Sequence, residues 1–318
     1  MCPYREYQHT MDRFQNSISI NCANASLVPS ATNTCAVVIT YFPDDDISSR
    51  LLRIQQQLPS IIIIDNASSK HCLSILRNFS VSPKIELLEN YNNEGIGKAL
   101  NQAVSLARES GFLWMLTLDQ DTLVHEDMFD TLVAVYRSSG CRSPLIGSNY
   151  WDVSREKQFL KCDSRTDKEF VERRTVITSG TLMRLDLFKC IGGFREDYFI
   201  DSIDHEYCLR VRANGFQVIM SCKKLMSHSI GRRGSRKSRL LAFDHPPVRK
   251  YYMARNTLVT LKCYFRREPV WAVRQLTRLI VEFLSIVIIE GDKRNKGNAF
   301  GRGILDAIRN KMGRCEWA

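Results

Sequence analysis

The chain has 318 residues, 44% of them hydrophobic, and a formal net charge of +11, the profile of an ordinary globular protein with material for one large core or two modest ones. No charged start followed by an apolar stretch reads as a signal peptide, and no window reaches the roughly 18 uninterrupted apolar residues of a spanning helix. The sequence therefore predicts a protein that stays in the cytoplasm.

Residues 1 to about 33 are polar, rich in Ser and Asn and without an apolar period, which predicts a poorly ordered extension. From Cys35 onward short apolar runs alternate with helical stretches. Strands are predicted at Cys35 to Phe42, Ile61 to Asp65, Lys84 to Leu88 and from Phe112. Helices are predicted at Ile47 to Leu58, Lys70 to Phe79 and Ile96 to Arg108. A strand-helix repeat of this kind implies a mostly parallel sheet with helices on both faces, and such sheets bind ligands beyond the carboxyl ends of their strands. The residues at those ends are Thr40 and Tyr41, Asp65 and Asn66, and Asp119-Gln-Asp121. Three polar strand ends in one half point to a nucleotide site.

The run Phe112-Leu-Trp-Met-Leu-Thr-Leu ends abruptly in Asp119 and Asp121. Two acids there are costly unless a cation meets them, and Mg²⁺ bridging substrate phosphates takes one or two protein carboxylates. A turn or helix cap is the alternative. The loop Asn92-Asn93-Glu94-Gly95-Ile96-Gly97 opens a helix whose amides can face an anion, although two glycines also make a plain tight turn. Neither a Gly-x-Gly-x-x-Gly fingerprint nor a Walker sequence occurs, so dinucleotide dehydrogenases and P-loop enzymes are disfavoured.

Ten Lys or Arg residues lie between Lys223 and Arg255 against one acid, Asp244. Such a patch suits nucleic acid, anionic lipid headgroups or a diphosphate, or is a solvated basic face. From Val270 to Ile289 nearly every position is apolar except a stripe of Arg274, Arg278, Glu282 and Ser285. That helix is expected to bury most of its circumference inside the protein or an oligomer, with a membrane interface as the second option. The eleven cysteines form no Cys-x-x-Cys pair and no zinc spacing, which predicts free thiols in a reducing compartment. The sequons at Asn24 and Asn66 are then chance matches.

Taken in order, Cys35-Ala-Val-Val-Ile-Thr-Tyr-Phe, Ile61-Ile-Ile-Ile-Asp-Asn-Ala-Ser68, Asn93-Glu-Gly-Ile-Gly-Lys-Ala-Leu-Asn101, Leu118-Asp-Gln-Asp121, Thr178-Ser-Gly-Thr-Leu182 and Phe199-Ile-Asp-Ser-Ile-Asp-His-Glu-Tyr-Cys-Leu-Arg210 resemble family 2 glycosyltransferases. The likeness covers about residues 35 to 230 and is strongest to the rhamnosyltransferase branch, which assembles bacterial surface polysaccharides. The Leu-Asp-Gln-Asp form and the Phe-Ile-Asp segment carry that finer likeness.

The resemblance implies an α/β GT-A fold over residues 34 to 245, its first half binding nucleotide and its second half acceptor, followed by a helical region over 246 to 318. It implies that Thr40, Tyr41, Asp65, Asn66, Asn93, Gly95, Asp119 and Gly180 line the nucleotide-sugar site, with Arg232 and Arg233 beside it. Asp121 matches the metal-binding acid for Mg²⁺ or Mn²⁺, with Asp119 and His228 completing the set; a structural histidine is the alternative for His228. Inversion needs a base on the acceptor side, for which Asp201, Asp204 and Glu206 are candidates. Glu206 can pair with Arg210 four positions on, Asp204 falls in the first turn of a helix near Ile203 and matches the family's catalytic aspartate, and the departure from the usual Glu-Asp to Ile203-Asp204 keeps Asp201 in play. Ser179-Gly180-Thr181 is expected to precede a helix and to border the sugar pocket, and Trp151 to pack in the core, with stacking on a sugar as the alternative.

The resulting expectation is an inverting, metal-dependent enzyme moving L-rhamnose from dTDP-rhamnose to a lipid-diphosphate-linked glycan. It would act in the cytoplasm, with contact to the inner face of the plasma membrane or homo-oligomerisation both open. A UDP-hexose donor is the enzymatic alternative. A nucleic-acid-binding protein is the non-enzymatic one, disfavoured because no nucleic-acid motif accompanies the basic patch.

Overall fold

The computed structural model describes residues 27–162, 168–228 and 245–317. Its first strands are β1 (Thr34–Thr40), β2 (Ile61–Asp65), β3 (Ile85–Glu89) and β4 (Trp114–Asp119), joined through the helices α1 (Ile47–Gln55), α2 (Lys70–Phe79) and α3 (Ile96–Glu109). All five residues of β2 are buried, Ile61 and Ile63 in the core on one side of the sheet and Ile62 and Ile64 in the core on the other. A strand covered by helices on both faces needs this continuous apolar run. β1 pairs parallel with β2 and β4, and β2 with β3. The register sets Thr40 beside Asp65 and Ile39 beside Asp119, so the polar ends fall in one row.

The second half adds β5 (Leu123–Val124), α4 (Met128–Ser138), β6 (Leu145–Asp152), β7 (Lys157–Gln158), β8 (Phe170–Glu172), β9 (Thr181–Arg184), α5 (Leu187–Ile191), α6 (Ile203–Ala213) and β10 (Val218–His228). The strand order is β3-β2-β1-β4-β9-β6-β10-β5, with β7 on β6 and β8 on β10. The sheet is parallel from β3 to β4 and mixed beyond it, because β9 runs antiparallel to both β4 and β6. Residues after Ser179-Gly180 thus form a strand where the sequence suggested a helix. Every residue of Thr181–Arg184 is buried between two strands, and that pairing outweighs local preference.

Three further expectations are corrected. Cys162 and Cys222 form a disulfide across 60 residues, a pairing that spacing alone cannot reveal; Cys35, Cys72, Cys190 and Cys208 are buried free thiols. Trp151 lies on the surface with the Lys224 ammonium 5.5 Å from its ring centroid. The basic patch is not one surface: Lys250 and Arg255 are fully buried, while Arg232 and Arg233 lie outside the described residues.

The last helices are α7 (Pro247–Tyr264), α8 (Pro269–Ile288) and α9 (Lys293–Arg309). Lys250 of α7 donates to Glu282 of α8 and to Glu290, 2.6 Å away, and Glu290 also accepts from Lys296 of α9 at 2.8 Å. This buried network turns part of the polar stripe of α8 inward. Only Trp271, Ala272, Ser285 and Ile286 of α8 are buried. Its broad apolar face therefore points to solvent, contrary to the expectation that the helix would bury most of its circumference.

Candidate active site

β4 and β10 bring Asp119, Asp121 and His228 together, one ligand atom from each lying within 4.8 Å of the others. His228 Nδ1 is 3.3 Å from Asp121 Oδ1, and His228 Nε2 is 3.7 Å from Asp119 Oδ2. Ser179, expected at the sugar pocket, and Thr122, which the sequence did not single out, brace the group. Their hydroxyls are 2.6 Å apart, Ser179 Oγ accepts the Asp119 amide at 3.1 Å, and Thr122 Oγ1 is 3.4 Å from His228 Nδ1.

The electrostatics suit a cation. Its recess in the cleft pushes the Asp119 carboxyl above the ordinary carboxylate range; His228 and Arg249 oppose the shift, and Asp121 and Asp204 add to it. The side chain is half open to the cleft, so water relieves part of that penalty. Burial favours neutral His228, yet the hydrogen bond to Asp121 and the charge of Asp119 outweigh it and raise the imidazole above its usual value. Two carboxylates and an imidazole make a donor set for a divalent cation.

Thr40 and Asp65 are fully buried. Asp65 Oδ1 accepts from Thr40 Oγ1 at 2.8 Å and from Ser68 Oγ at 2.6 Å, and Oδ2 accepts the Ser68 amide at 2.8 Å. Together these bonds fix the turn after β2. Tyr41 is half exposed, and its amide and carbonyl are clamped by the Gln120 side chain at 2.7 and 3.1 Å. The middle residue of Asp119-Gln-Asp121 thus ties the ends of β1 and β4 together, a role its sequence position did not announce. Asn66 accepts from the Glu94 amide and from Asn90, and donates to the Gly95 carbonyl at 3.3 Å, while Asn93 accepts the Gly95 amide at 3.0 Å.

Gly95 has φ +82°, and a Cβ there would meet the Phe199 carbonyl oxygen at 2.6 Å. The Ile96 amide, free as the first donor of α3, bonds that same carbonyl at 2.7 Å. The loop before α3 is thereby locked to the turn before α6. Gly180 has φ +72° with Met226 and Ser148 packed against it, so it too admits no side chain.

The turn before α6 holds Phe199, Asp201 and Ser202 at positive φ, a costly conformation for residues with side chains. Helix α7 maintains it. Asn256 donates from its side-chain amide to the carbonyls of Tyr198, Ile200 and Asp201 at 2.7 to 3.0 Å, and Arg255 donates to those of Asp197 and Tyr198. The Arg249 guanidinium lies 3.3 Å from the Asp201 carboxylate. Glu206 is committed elsewhere, bound by Arg210 at 2.7 and 3.1 Å and by the Tyr264 hydroxyl at 2.9 Å, out of contact with solvent. Asp204 is partly exposed, accepts only the neighbouring His205 amide at 2.8 Å among the described residues, and acts electrostatically on both Asp119 and Tyr150.

A parallel first half, a mixed second half and an acid-acid-histidine cluster at their junction are the architecture of a GT-A glycosyltransferase. Residues 35–192 match the family described as Glycosyl transferase family 2, so the chain carries a domain of that family. It is 24% identical over 303 residues to dTDP-rhamnosyl transferase RfbF of Shigella flexneri, covering 89% of this chain and 97% of that protein. Its likeness within the family is to the rhamnosyltransferase branch. Among solved structures it is similar to S. aureus TarS 1-349 in complex with UDP-GlcNAc, with a TM-score of 0.57 and 16% identity over 87% of this chain and 81% of that one. The mannosyltransferase PcManGT from Pyrobaculum calidifontis, in complex with GDP-Man and Mn²⁺, gives a TM-score of 0.54 and 12% identity over 95% and 96% of the two chains.

Proposed function

We propose that this glycosyltransferase transfers L-rhamnose, with inversion, from dTDP-rhamnose to a lipid-diphosphate-linked glycan of a bacterial surface polysaccharide. The observation that carries the chemistry is the convergence of Asp119, Asp121 and His228 at the strand ends, with Asp204 and Arg249 acting on the same carboxylate. The 24% identity to a dTDP-rhamnosyl transferase over most of the chain supports the donor.

A divalent ion, Mg²⁺ or Mn²⁺, held by Asp119, Asp121 and His228 would neutralise charge on the leaving diphosphate. Thr40, Tyr41, Asp65, Asn66, Asn93 and Gly95 shape the nucleoside site from β1, β2 and the loop before α3, and Gly180 lets the backbone approach the sugar. Asp204 is the general base. It takes the proton of the acceptor hydroxyl as that oxygen attacks the anomeric carbon from the face opposite the diphosphate. Asp201, paired with Arg249, holds the turn that presents Asp204. The acceptor's lipid anchor puts the reaction at the cytoplasmic face of the membrane.

Incubating the purified protein with a panel of nucleotide sugars and following nucleoside diphosphate release by mass spectrometry tests the reading. Release of dTDP from dTDP-rhamnose, faster than UDP from any UDP-hexose, is the expected result. Release of UDP alone would move the donor to the hexose alternative while leaving the reaction class intact.

A further inference from the structure

Among the described residues nothing covers the outer face of α8. Val273, Leu276, Ile280, Leu284 and Val287 recur at three- and four-residue spacing and are each about half exposed, and Ile288 is 67% exposed. A helix of 20 residues runs for about 30 Å, so this is a continuous apolar stripe well beyond scattered surface hydrophobics. It does not cross a bilayer, since no helix among the described residues is long and apolar enough to do so.

The charge around the stripe is one-sided. Between residues 269 and 309 the exposed charged side chains are Arg274, Arg278, Lys293, Arg294, Arg302 and Arg309, against a single exposed acid, Asp292. The remaining acids of the segment are drawn inward, Glu282 and Glu290 to Lys250 and Asp306 to the Tyr251 hydroxyl. Phe283 of α8 and Phe300 of α9 are in ring contact at 5.7 Å, so the apolar helix and the basic helix form one surface. An apolar face rimmed by cations is the pattern of a helix lying in the interface of an anionic bilayer, the chains taking the apolar residues and the headgroups the basic ones. A symmetric dimer through the same face would press two rims of the same positive sign together. Charge complementarity thus selects the lipid surface over a second copy.

We infer that α8 lies flat in an anionic lipid surface, its Val273 to Ile288 face inserted among the chains and the basic residues of α8 and α9 on the headgroups. This deepens the lipid-linked acceptor reading by naming the surface that brings the enzyme to it. Vesicle binding measured without donor or acceptor stands apart from the transfer reaction, so either claim can fail alone.

The test is co-sedimentation of the full chain with vesicles of phosphatidylglycerol and phosphatidylcholine, or of phosphatidylcholine alone, from low to high salt. The expected result is binding to the anionic vesicles that weakens as salt rises and falls at least roughly tenfold in an Ile280→Glu/Leu284→Glu variant, with its thermal melt and its nucleoside diphosphate release in detergent unchanged. Three outcomes overturn the inference. One is no vesicle binding by the unaltered chain; another is binding that the double variant leaves intact. The third is a concentration-dependent dimer in solution that the double variant dissolves in the absence of any lipid binding, which would assign the face to a second copy.

Discussion

The Asn256 side-chain amide donates to the Asp201 backbone carbonyl at 3.0 Å, joining the C-terminal helical region to the turn that carries Asp201 and leads into Asp204. Asp201 has φ +64°, and Asn256 also holds the carbonyls of Tyr198 and Ile200. The turn is strained, and its geometry depends on α7 to hold it.

Replacing Asn256 with Ala should therefore act in two ways. Buried carbonyls left without a donor cost roughly 1–3 kcal/mol, visible as a lower denaturation midpoint. Relaxation of the turn should lower kcat while KM for the donor changes little. Normal kcat in a destabilised protein would show that the turn keeps its shape without α7.

Asp204→Asn preserves shape and removes basicity. It should lower kcat by roughly 10²- to 10⁴-fold with donor affinity by calorimetry nearly unchanged. Asp201→Asn should do less, through its pairing with Arg249. If Asp204→Asn keeps near-normal kcat and Asp201→Asn does not, the base is Asp201.

Chelator should abolish turnover and Mg²⁺ or Mn²⁺ restore it. Asp121→Ala and His228→Ala should be folded by circular dichroism and nearly inactive, and both should bind Mn²⁺ more weakly in a titration read by electron paramagnetic resonance. Full activity in chelator would end the metal reading of Asp119-Gln-Asp121.

Glu206→Gln separates stability from chemistry. Arg210 would lose its charge partner inside the protein, where it also donates to the Ile191 carbonyl at 2.8 Å. Breaking a buried pair costs about 3–5 kcal/mol, so a lower midpoint in urea is expected, with kcat near normal at temperatures where the variant is folded. A stable but inactive variant would instead make Glu206 part of the reaction.

Gly95→Ala should be poorly tolerated. Its φ of +82° and the 2.6 Å approach of the Phe199 oxygen leave no space for a methyl group, and a shift there would separate the loop before α3 from the turn before α6. A fall in both thermal midpoint and kcat is expected; unchanged values would show that the two segments move independently.

Several elements were legible in the chain itself. The unbroken apolar run Ile61 to Ile64 marks β2 by local chemistry alone. The Asp119-Gln-Asp121 pair and the i,i+4 spacing of Glu206 and Arg210 are local too, and the structure places each at a strand end or on a helix where such spacing directs it. What the sequence could not decide depends on residues that meet only after folding. Thr181–Arg184 is a strand because β4 and β6 flank it, and His228 reaches the acids only because β10 runs on past Met220. Glu206 is withdrawn from solvent by Tyr264, 58 residues away, while Asp204 stays open. The apolar stripe of α8 faces outward because the buried Lys250 must be met by Glu282 and Glu290, and an unpaired buried charge costs far more than exposed hydrocarbon.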